Sequence, residues 1–183
     1  MKKIKKDKVM KAGEGIDCSN GGWTFDGDVV NSFDEHVQKS VPGYQDGHIL
    51  IKDLAPFFMA GKDDNFYEIG CSTGRLTKLI ATNAANKTSK FIGIDSVKKM
   101  IEKAKESKGD SNCAFYHKDA LAFEYKNAAL IASYYTLQFI DTGVRQNLVN
   151  KIYSSLKWGG AFILFEKVRG PDARFQDIMT TLY

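Results

Sequence analysis

The chain has 183 residues, of which 43% are hydrophobic and 26% charged, as expected for a globular domain with a substantial core. Its net charge of +4 comes from residues 1–11: removing their six lysines and one aspartate from 26 basic and 22 acidic residues leaves 20 and 21. This balance argues against direct nucleic-acid binding by the folded part. No segment approaches the ~18 consecutive apolar residues that a membrane-spanning helix needs.

Residues 1–22 are predicted to form a basic flexible tail and a loop, and residues 23–183 an α/β domain whose first part, 23–60, is a helical cover. No apolar stretch follows the lysines, so the tail is not a signal peptide. It is interpreted as a solvated terminus, with contact to RNA phosphates as the alternative. Three cysteines without CxxC spacing (Cys18, Cys71 and Cys113) predict reduced thiols, no metal site and a cytoplasmic location.

Helical spacing of apolar residues predicts two N-terminal helices, at 27–39 and from Gln45 to Phe58, separated by a Pro-Gly break. The rest of the chain alternates short apolar strands with helices, which is typical of a parallel sheet covered on both faces. Strands are predicted at 66–69, 90–94, 113–117, 128–134 and 161–166, the last after a turn at 158–160. Helices are predicted at 75–83, 97–105, 144–156 and from about residue 171.

A glycine-rich turn after the first of these strands is the main candidate for a ligand site. Residues 70–74 read Gly-Cys-Ser-Thr-Gly and lead into a helix, so the backbone can approach a ligand closely. Asp95 ends the second strand, where a carboxylate can accept hydrogen bonds from both ribose hydroxyls; a helix N-cap is its alternative role. Asp119, after the third strand, fits either an adenine amino group or a loop cap.

Two residues of this turn indicate which adenosine cofactor binds. A dinucleotide site prefers glycine at the position of Ser72 and places a pyrophosphate on the helix N-terminus. Glu68, two residues before Gly70, would repel a pyrophosphate but suits the ammonium group of a methionine moiety. The sequence therefore predicts S-adenosylmethionine (SAM) rather than NAD.

Other chemically active residue types yield weaker candidates. His36, His48 and His117 are isolated, which predicts surface or local hydrogen-bonding roles rather than metal ligation. Cys71 has no histidine near it in the sequence and is interpreted as a small loop residue rather than a nucleophile. Tyr134, at the end of the fourth strand, is a candidate to line the site. No catalytic residue is assigned.

A family resemblance is carried by strings spread in order over roughly residues 20–183. They are GWTFD at 22–26, SVPGY at 40–44, GCS at 70–72, TLQF at 136–139, KIY at 151–153, GGA at 159–161 and EK at 166–167. They resemble the carboxy-S-adenosylmethionine synthase family, bacterial homologues of class I methyltransferases. The resemblance implies a Rossmann-like class I methyltransferase fold. It also implies an enzyme that uses prephenate to carboxylate the methyl group of SAM, for modification of the wobble uridine of tRNA.

The resemblance extends the predicted cofactor site by position and also marks two departures. Tyr134 stands where the family has an asparagine, and the family's carboxylate-binding arginine, with neighbouring Tyr and His, lies in a C-terminal region that this chain does not reach. The complete predicted cofactor site is Tyr44, Glu68, Gly70, Cys71, Ser72, Gly74, Asp95, Ser96, Asp119, Ala120 and Tyr134.

Three functional hypotheses follow. The leading one is a carboxy-SAM synthase-like enzyme acting on SAM and prephenate. The alternatives are a SAM-dependent methyltransferase of a small molecule or RNA, and a SAM-binding module without catalysis. Class I folds finish with two further strands that this chain does not reach, so the strand at 161–166 is expected to be an uncovered edge, prone to pairing with a second copy in a homodimer.

Overall fold

The computed structural model describes residues 11–12, 16–17, 29–85, 88–106 and 112–182. Its strands are β1 Asn65–Ile69, β2 Lys90–Asp95, β3 Cys113–His117, β4 Ala128–Tyr134 and β5 Leu156–Phe165. Its helices are α1 Val29–Ser40, α2 Tyr44–Phe58, α3 Arg75–Asn83, α4 Lys98–Glu106, α5 Thr142–Ser155 and α6 Ala173–Leu182. The five strands are parallel in the order β3-β2-β1-β4-β5, which confirms the predicted α/β fold.

The N-terminal predictions are only partly within the described residues. Lys11–Ala12 pairs with Ile16–Asp17 in a short antiparallel ladder, separate from the main sheet. Residues 1–10 of the lysine tail, the GWTFD string and the first two residues of the predicted helix at 27–39 lie outside the described residues.

Alternating strand residues build a core on each face of the sheet. Phe66, Leu130 and Ala132 pack with α2 and α3 on one face, whereas Tyr67 and Ile131 pack with α5 on the other. These strand residues are at most 2% exposed, because helices cover the central strands on both sides. The carboxyl ends of β1, β2, β3 and β4 are thereby held at one edge of the sheet.

The C-terminal half differs from the prediction at the start of the fifth helix and at the fifth strand. The fifth helix begins at Thr142 rather than residue 144, because Asp141 caps it by accepting a hydrogen bond from the Gly143 backbone N–H (2.7 Å). The predicted turn at 158–160 instead lies within β5. The ladder pairs Ala128 with Leu156 and Leu130 with Ala161, so the residues between bulge out of an otherwise continuous strand.

β5 is one of the two edge strands of the sheet among the described residues. Trp158 and Leu164 on this strand are exposed, and α6 beyond it has no buried residue. Within the described ranges, no helix combines the length and apolar character needed to cross a lipid bilayer.

Candidate cofactor-binding site

A cavity of about 500 Å³ lies at the carboxyl ends of β1 to β4, with α1 and α5 contributing to its walls. Ligands of parallel α/β sheets bind at this edge, beside the point where the strand order reverses, which here lies between β1 and β4. Of the predicted cofactor residues, those that line the cavity are Tyr44, Glu68, Gly70, Cys71, Ser72, Asp95, Ser96, Asp119, Ala120 and Tyr134. Gly74 is not among the lining residues.

The two glycines of the turn have different structural roles. Gly70 has φ +71°, its N–H donates to the Ile94 carbonyl (2.8 Å), and the Thr136 side chain fills the space that a Cβ would need. Gly74 is the N-cap of α3 with φ +77°, and a Cβ there would meet the Phe115 ring. Gly70 therefore shapes the cavity, whereas Gly74 allows α3 to pack closely on the sheet.

Asp95 connects the turn to the tip of β2. Its Oδ2 accepts a hydrogen bond from the Ser72 N–H and its Oδ1 from the Val97 N–H, both at 2.8 Å. The bond to Val97 is the helix-cap interaction that the sequence left as the alternative. The carboxylate is only 8% exposed yet lines the cavity, and burial raises its pKa. The carboxylate also interacts with the Ser96 N–H, and it retains acceptor capacity for a ligand hydroxyl.

Glu68 is buried beneath the turn and stabilises the start of α3. Its Oε2 accepts hydrogen bonds from the Thr77 N–H (2.9 Å) and from the Thr77 hydroxyl. Because the N-cap residue Gly74 has no side chain, Glu68 satisfies a helix N–H in its place. Burial raises the pKa of Glu68 to about 8, so near neutral pH the carboxyl group is mainly uncharged. This structural role was not anticipated from the sequence.

The β3 side of the cavity is formed by the loop that follows that strand. Asp119 Oδ1 accepts a hydrogen bond from the Leu121 N–H (2.7 Å), the loop-capping alternative of the prediction, while the exposed residue also lines the cavity. The Ser96 carbonyl lies 3.0 Å from His117 Nε2. Lys118 lines the cavity beside Asp119 and was not predicted.

An aromatic group closes the β4 side. Tyr44, Tyr134 and Tyr135, called here the tyrosine wall, all line the cavity. The Tyr134 hydroxyl donates to the Tyr44 carbonyl oxygen (2.6 Å), and burial raises the pKa of both phenols. His48 packs against the Tyr44 and Tyr134 rings, with centroid distances of 4.7 and 4.6 Å.

The surface or hydrogen-bonding role predicted for His48 was wrong. The residue is 6% exposed, and its Nε2 has no hydrogen-bond partner among the described residues. Burial, assisted by the positive charge of Arg75, lowers the pKa of His48 to about 4, so the ring is neutral. His36, near the Ser40 hydroxyl (3.3 Å), and His117 do make local polar contacts.

Helix α1 and the loop after β4 supply lining residues that sequence reasoning missed. Phe33 and Val37 on α1, and Val41 immediately after it, line the cavity, and their spacing of four residues was the available signal. The Thr73 hydroxyl, in the glycine turn, donates to Asp34 Oδ1 (2.7 Å) and so joins α1 to the turn. The spacing of apolar residues does not distinguish a helix face that lines a cavity from one that packs on a core.

The loop 135–141 is held by two distant side chains. Glu166 accepts hydrogen bonds from the backbone N–H groups of Leu137 (2.6 Å) and Gln138 (3.2 Å). Arg145 donates to the carbonyl oxygens of Gln138 (3.0 Å) and Ile140 (2.8 Å). Burial raises the pKa of Glu166, while its backbone donors act in the opposite direction. The loop therefore presents a fixed surface to the cavity.

The strand order, the glycine turn and the cavity define a class I, SAM-dependent methyltransferase domain. The methyltransferase domain family matches residues 66–160. Among solved structures, the N-methyltransferase NodS from Bradyrhizobium japonicum, in complex with S-adenosylhomocysteine, aligns with a TM-score of 0.56 and 20% identity, covering 75% of this chain and 72% of that one. The plantazolicin methyltransferase BpumL aligns with a TM-score of 0.57 and 14% identity over 73% of this chain and 51% of its own.

Curated relatives narrow the class to one family. The carboxy-S-adenosyl-L-methionine synthase of Staphylococcus epidermidis is 38% identical over 162 residues, which are 88% of this chain and 70% of that protein. The enzyme of the same name from an Enterobacter species is 32% identical over 91% of this chain and 69% of its own length. The chain therefore belongs to the carboxy-S-adenosyl-L-methionine synthase family. It is a SAM-dependent transferase with SAM as its cofactor, as the sequence predicted.

Proposed function

We propose that this protein converts SAM and prephenate to carboxy-SAM, which serves the modification of the wobble uridine of tRNA. The observation that carries the proposal is the hydrogen bond from the Ser72 N–H to Asp95. It holds a carboxylate beside the glycine turn at one cavity, in a chain of this family. SAM is then a substrate of the reaction as well as the ligand that the cavity holds.

The cavity residues fit a SAM molecule lying along the strand ends. Asp95 accepts a hydrogen bond from the ribose through its remaining acceptor capacity, and Asp119 and Ala120 border the adenine. Gly70 and Ser72 bring backbone close to the ligand between the adenosine and the methionine part. These assignments extend to Tyr44, Glu68, Cys71, Ser96 and Tyr134, which line the same cavity, while Gly74 contributes by positioning α3.

The chemistry requires a bound pair of substrates shielded from water more than a strong base. Prephenate loses carbon dioxide, and the electron pair of the broken C–C bond expels its ring hydroxyl as hydroxide, which leaves phenylpyruvate. The hydroxide takes a proton from the methyl group that the positive sulfur acidifies, giving water, and the resulting ylide carbon bonds to the carbon dioxide. The loop 135–141 and α1 border the cavity where the second substrate would enter. No residue is assigned as the catalytic base.

Mass spectrometry of the nucleosides formed from SAM, with and without prephenate, tests the proposal. We expect carboxy-SAM, heavier than SAM by one carbon dioxide, only when the intact protein and prephenate are both present. Formation of S-adenosylhomocysteine (SAH) with a methylated acceptor, independent of prephenate, would instead support an ordinary methyltransferase. Unchanged SAM together with tight SAM binding would support a module without catalysis.

The proposal includes a cytoplasmic location and a homodimer. The cysteines lack CxxC spacing, which suits reduced thiols in a reducing compartment. β5 is an edge strand among the described residues, and its exposed Leu164 side chain is available for contact with a second copy. Light scattering after size-exclusion chromatography measures the oligomeric state, and a strictly monomeric protein would remove the dimer from the proposal.

A further inference from the structure

The tyrosine wall lies where the sulfur of a bound SAM is expected. Cavity residues follow the strand order β3-β2-β1-β4, with Asp119 after β3, Asp95 at the end of β2 and the tyrosines at β4 and at the start of α2. With the adenine beside Asp119 and the ribose on Asp95, the next group of the cofactor extends past the glycine turn toward β4. That group is the sulfonium.

The three rings of the wall are fixed by contacts with one another. The Tyr134 ring makes edge contacts with Tyr44 and Tyr135, at centroid distances of 5.0 and 4.9 Å. Tyr44 and Tyr135 lie nearly parallel, 22° between planes and 6.5 Å between centroids. Tyr135 also holds a left-handed backbone, φ +54°, which is a strained conformation for a residue with a side chain. Its N–H donates to the Phe165 carbonyl (2.8 Å), which secures that conformation.

Neither Glu68 nor Asp95 provides a strong anion for the sulfonium. Glu68 directs an oxygen to Thr77, and burial raises its pKa so that it is largely uncharged at neutral pH. Asp95 is committed to Ser72 and Val97 on the ribose side. Burial also keeps the phenols of Tyr44 and Tyr134 neutral. Aromatic rings carry negative π-faces, which attract a cation within about 6 Å.

We propose that Tyr44, Tyr134 and Tyr135 recognise the sulfonium cation of the cofactor, so that the site prefers a positively charged cofactor over SAH, in which the sulfur is uncharged. This inference rests on the proposed function, because it assumes that SAM occupies the cavity. It assigns the choice between charged and uncharged cofactor to the tyrosine wall rather than to a carboxylate.

The preference has a direct consequence for the proposed reaction. A methyl transfer turns the sulfonium into a thioether, so a charge-selective wall would favour release of the product. Carboxylation leaves the sulfonium intact, so the wall would retain carboxy-SAM as firmly as SAM. The tyrosine wall therefore suits an enzyme whose product stays bound until it is passed to another enzyme.

Titration calorimetry with SAM, SAH and sinefungin, in which a protonated amine replaces the sulfonium, tests the inference. We expect the wild-type protein to bind SAM and sinefungin about 3- to 30-fold more tightly than SAH. In Tyr135→Leu this ratio should fall toward one while SAH affinity is retained, whereas Tyr135→Phe should keep it. Tyr116→Leu, an exposed tyrosine outside the cavity lining, is the matched control.

The outcomes separate the two proposals. Equal affinity of the wild-type protein for all three ligands, or an unchanged ratio in Tyr135→Leu, overturns the role of the tyrosine wall while leaving the proposed function standing. If none of the three ligands binds, the proposed function is overturned, and this inference with it. The wild-type comparison needs no variant, so equal affinities for SAM and SAH would overturn the inference even where Tyr135→Leu fails to fold.

Discussion

The backbone of Gly47 in α2 lies directly against the phenol ring of Tyr134 in β4. A Cβ at residue 47 would overlap both the ring and the hydroxyl, which donates to the Tyr44 carbonyl one turn earlier in the same helix. The two residues thus fit together, with the glycine providing the space that the tyrosine fills. The contact joins the N-terminal helical cover to the sheet beside the cavity.

Gly47→Ala should lower the free energy of unfolding by about 1–3 kcal/mol, because the added methyl group has no room beside Tyr134. In an uncrowded helix interior, Gly→Ala raises the free energy of unfolding by roughly 0.5–1 kcal/mol, so the sign of the change at residue 47 is itself informative. Urea denaturation measures the difference. In a Tyr134→Ala background, where the obstruction is gone, Gly47→Ala should be neutral or stabilising; a loss of equal size in both backgrounds would contradict the pairing.

The stability of the ligand-free protein should decrease as the pH rises from 6.5 to 8.5. The folded-state pKa of Glu68, about 8, lies above its ordinary value of 4.5, so in this window the folded protein binds more protons than the unfolded chain. The expected loss from this group is roughly 2 kcal/mol, measured by urea denaturation at the two pH values. His48, whose pKa is lowered to about 4, acts in the opposite direction but only below about pH 6.5.

Glu68→Gln provides the matching control for this pH dependence. The amide oxygen can accept from Thr77 at any pH, so most of the slope between pH 6.5 and 8.5 should disappear. Glu124→Gln changes an exposed carboxylate and should keep the wild-type slope. A slope that persists unchanged in Glu68→Gln would show that another group titrates.

Glu166→Ala should loosen the loop 135–141. Without the carboxylate, the N–H groups of Leu137 and Gln138 lose their acceptors, and their amide hydrogens should exchange about tenfold faster. Glu166→Gln keeps one neutral acceptor and should fall between the wild type and alanine. Hydrogen exchange followed by mass spectrometry reports this on peptides spanning the loop, with Glu124→Ala as the surface control. Unaltered exchange in Glu166→Ala would mean that Arg145 alone holds the loop.

The alternating elements were predictable because the buried strands are short apolar runs and each helix has one apolar face. The strand Cys113–His117 and the helix Arg75–Asn83 have the predicted bounds. The start of α5 was misplaced because Asp141 was not interpreted as a cap. The bulge in β5 could not be predicted, because a Trp-Gly-Gly sequence before an apolar run is equally typical of a turn.

For the site, the sequence predicted which residues lie at the carboxyl ends of the strands, but not which side chains contact one another. Residues at the carboxyl ends of parallel strands must converge, and this places Ser72, Asp95 and Asp119 at one cavity. The capping of α3 by Glu68 depends on where Thr77 falls in three dimensions, nine residues later. The burial of His48 likewise depends on the rings of Tyr44 and Tyr134, which come together only in the folded chain.

The central claim is that Asp95 and the glycine turn bind the adenosine part of SAM. It is tested most directly by titrating SAM into the wild-type protein and into Asp95→Ala. We predict one SAM site in the wild type and an affinity at least about tenfold lower in Asp95→Ala, since charged hydrogen bonds to the ribose are lost. Asp177→Ala, on the exposed helix α6, should bind as the wild type does. Equal affinities in the wild type and Asp95→Ala, or no binding by the wild type, would contradict this assignment.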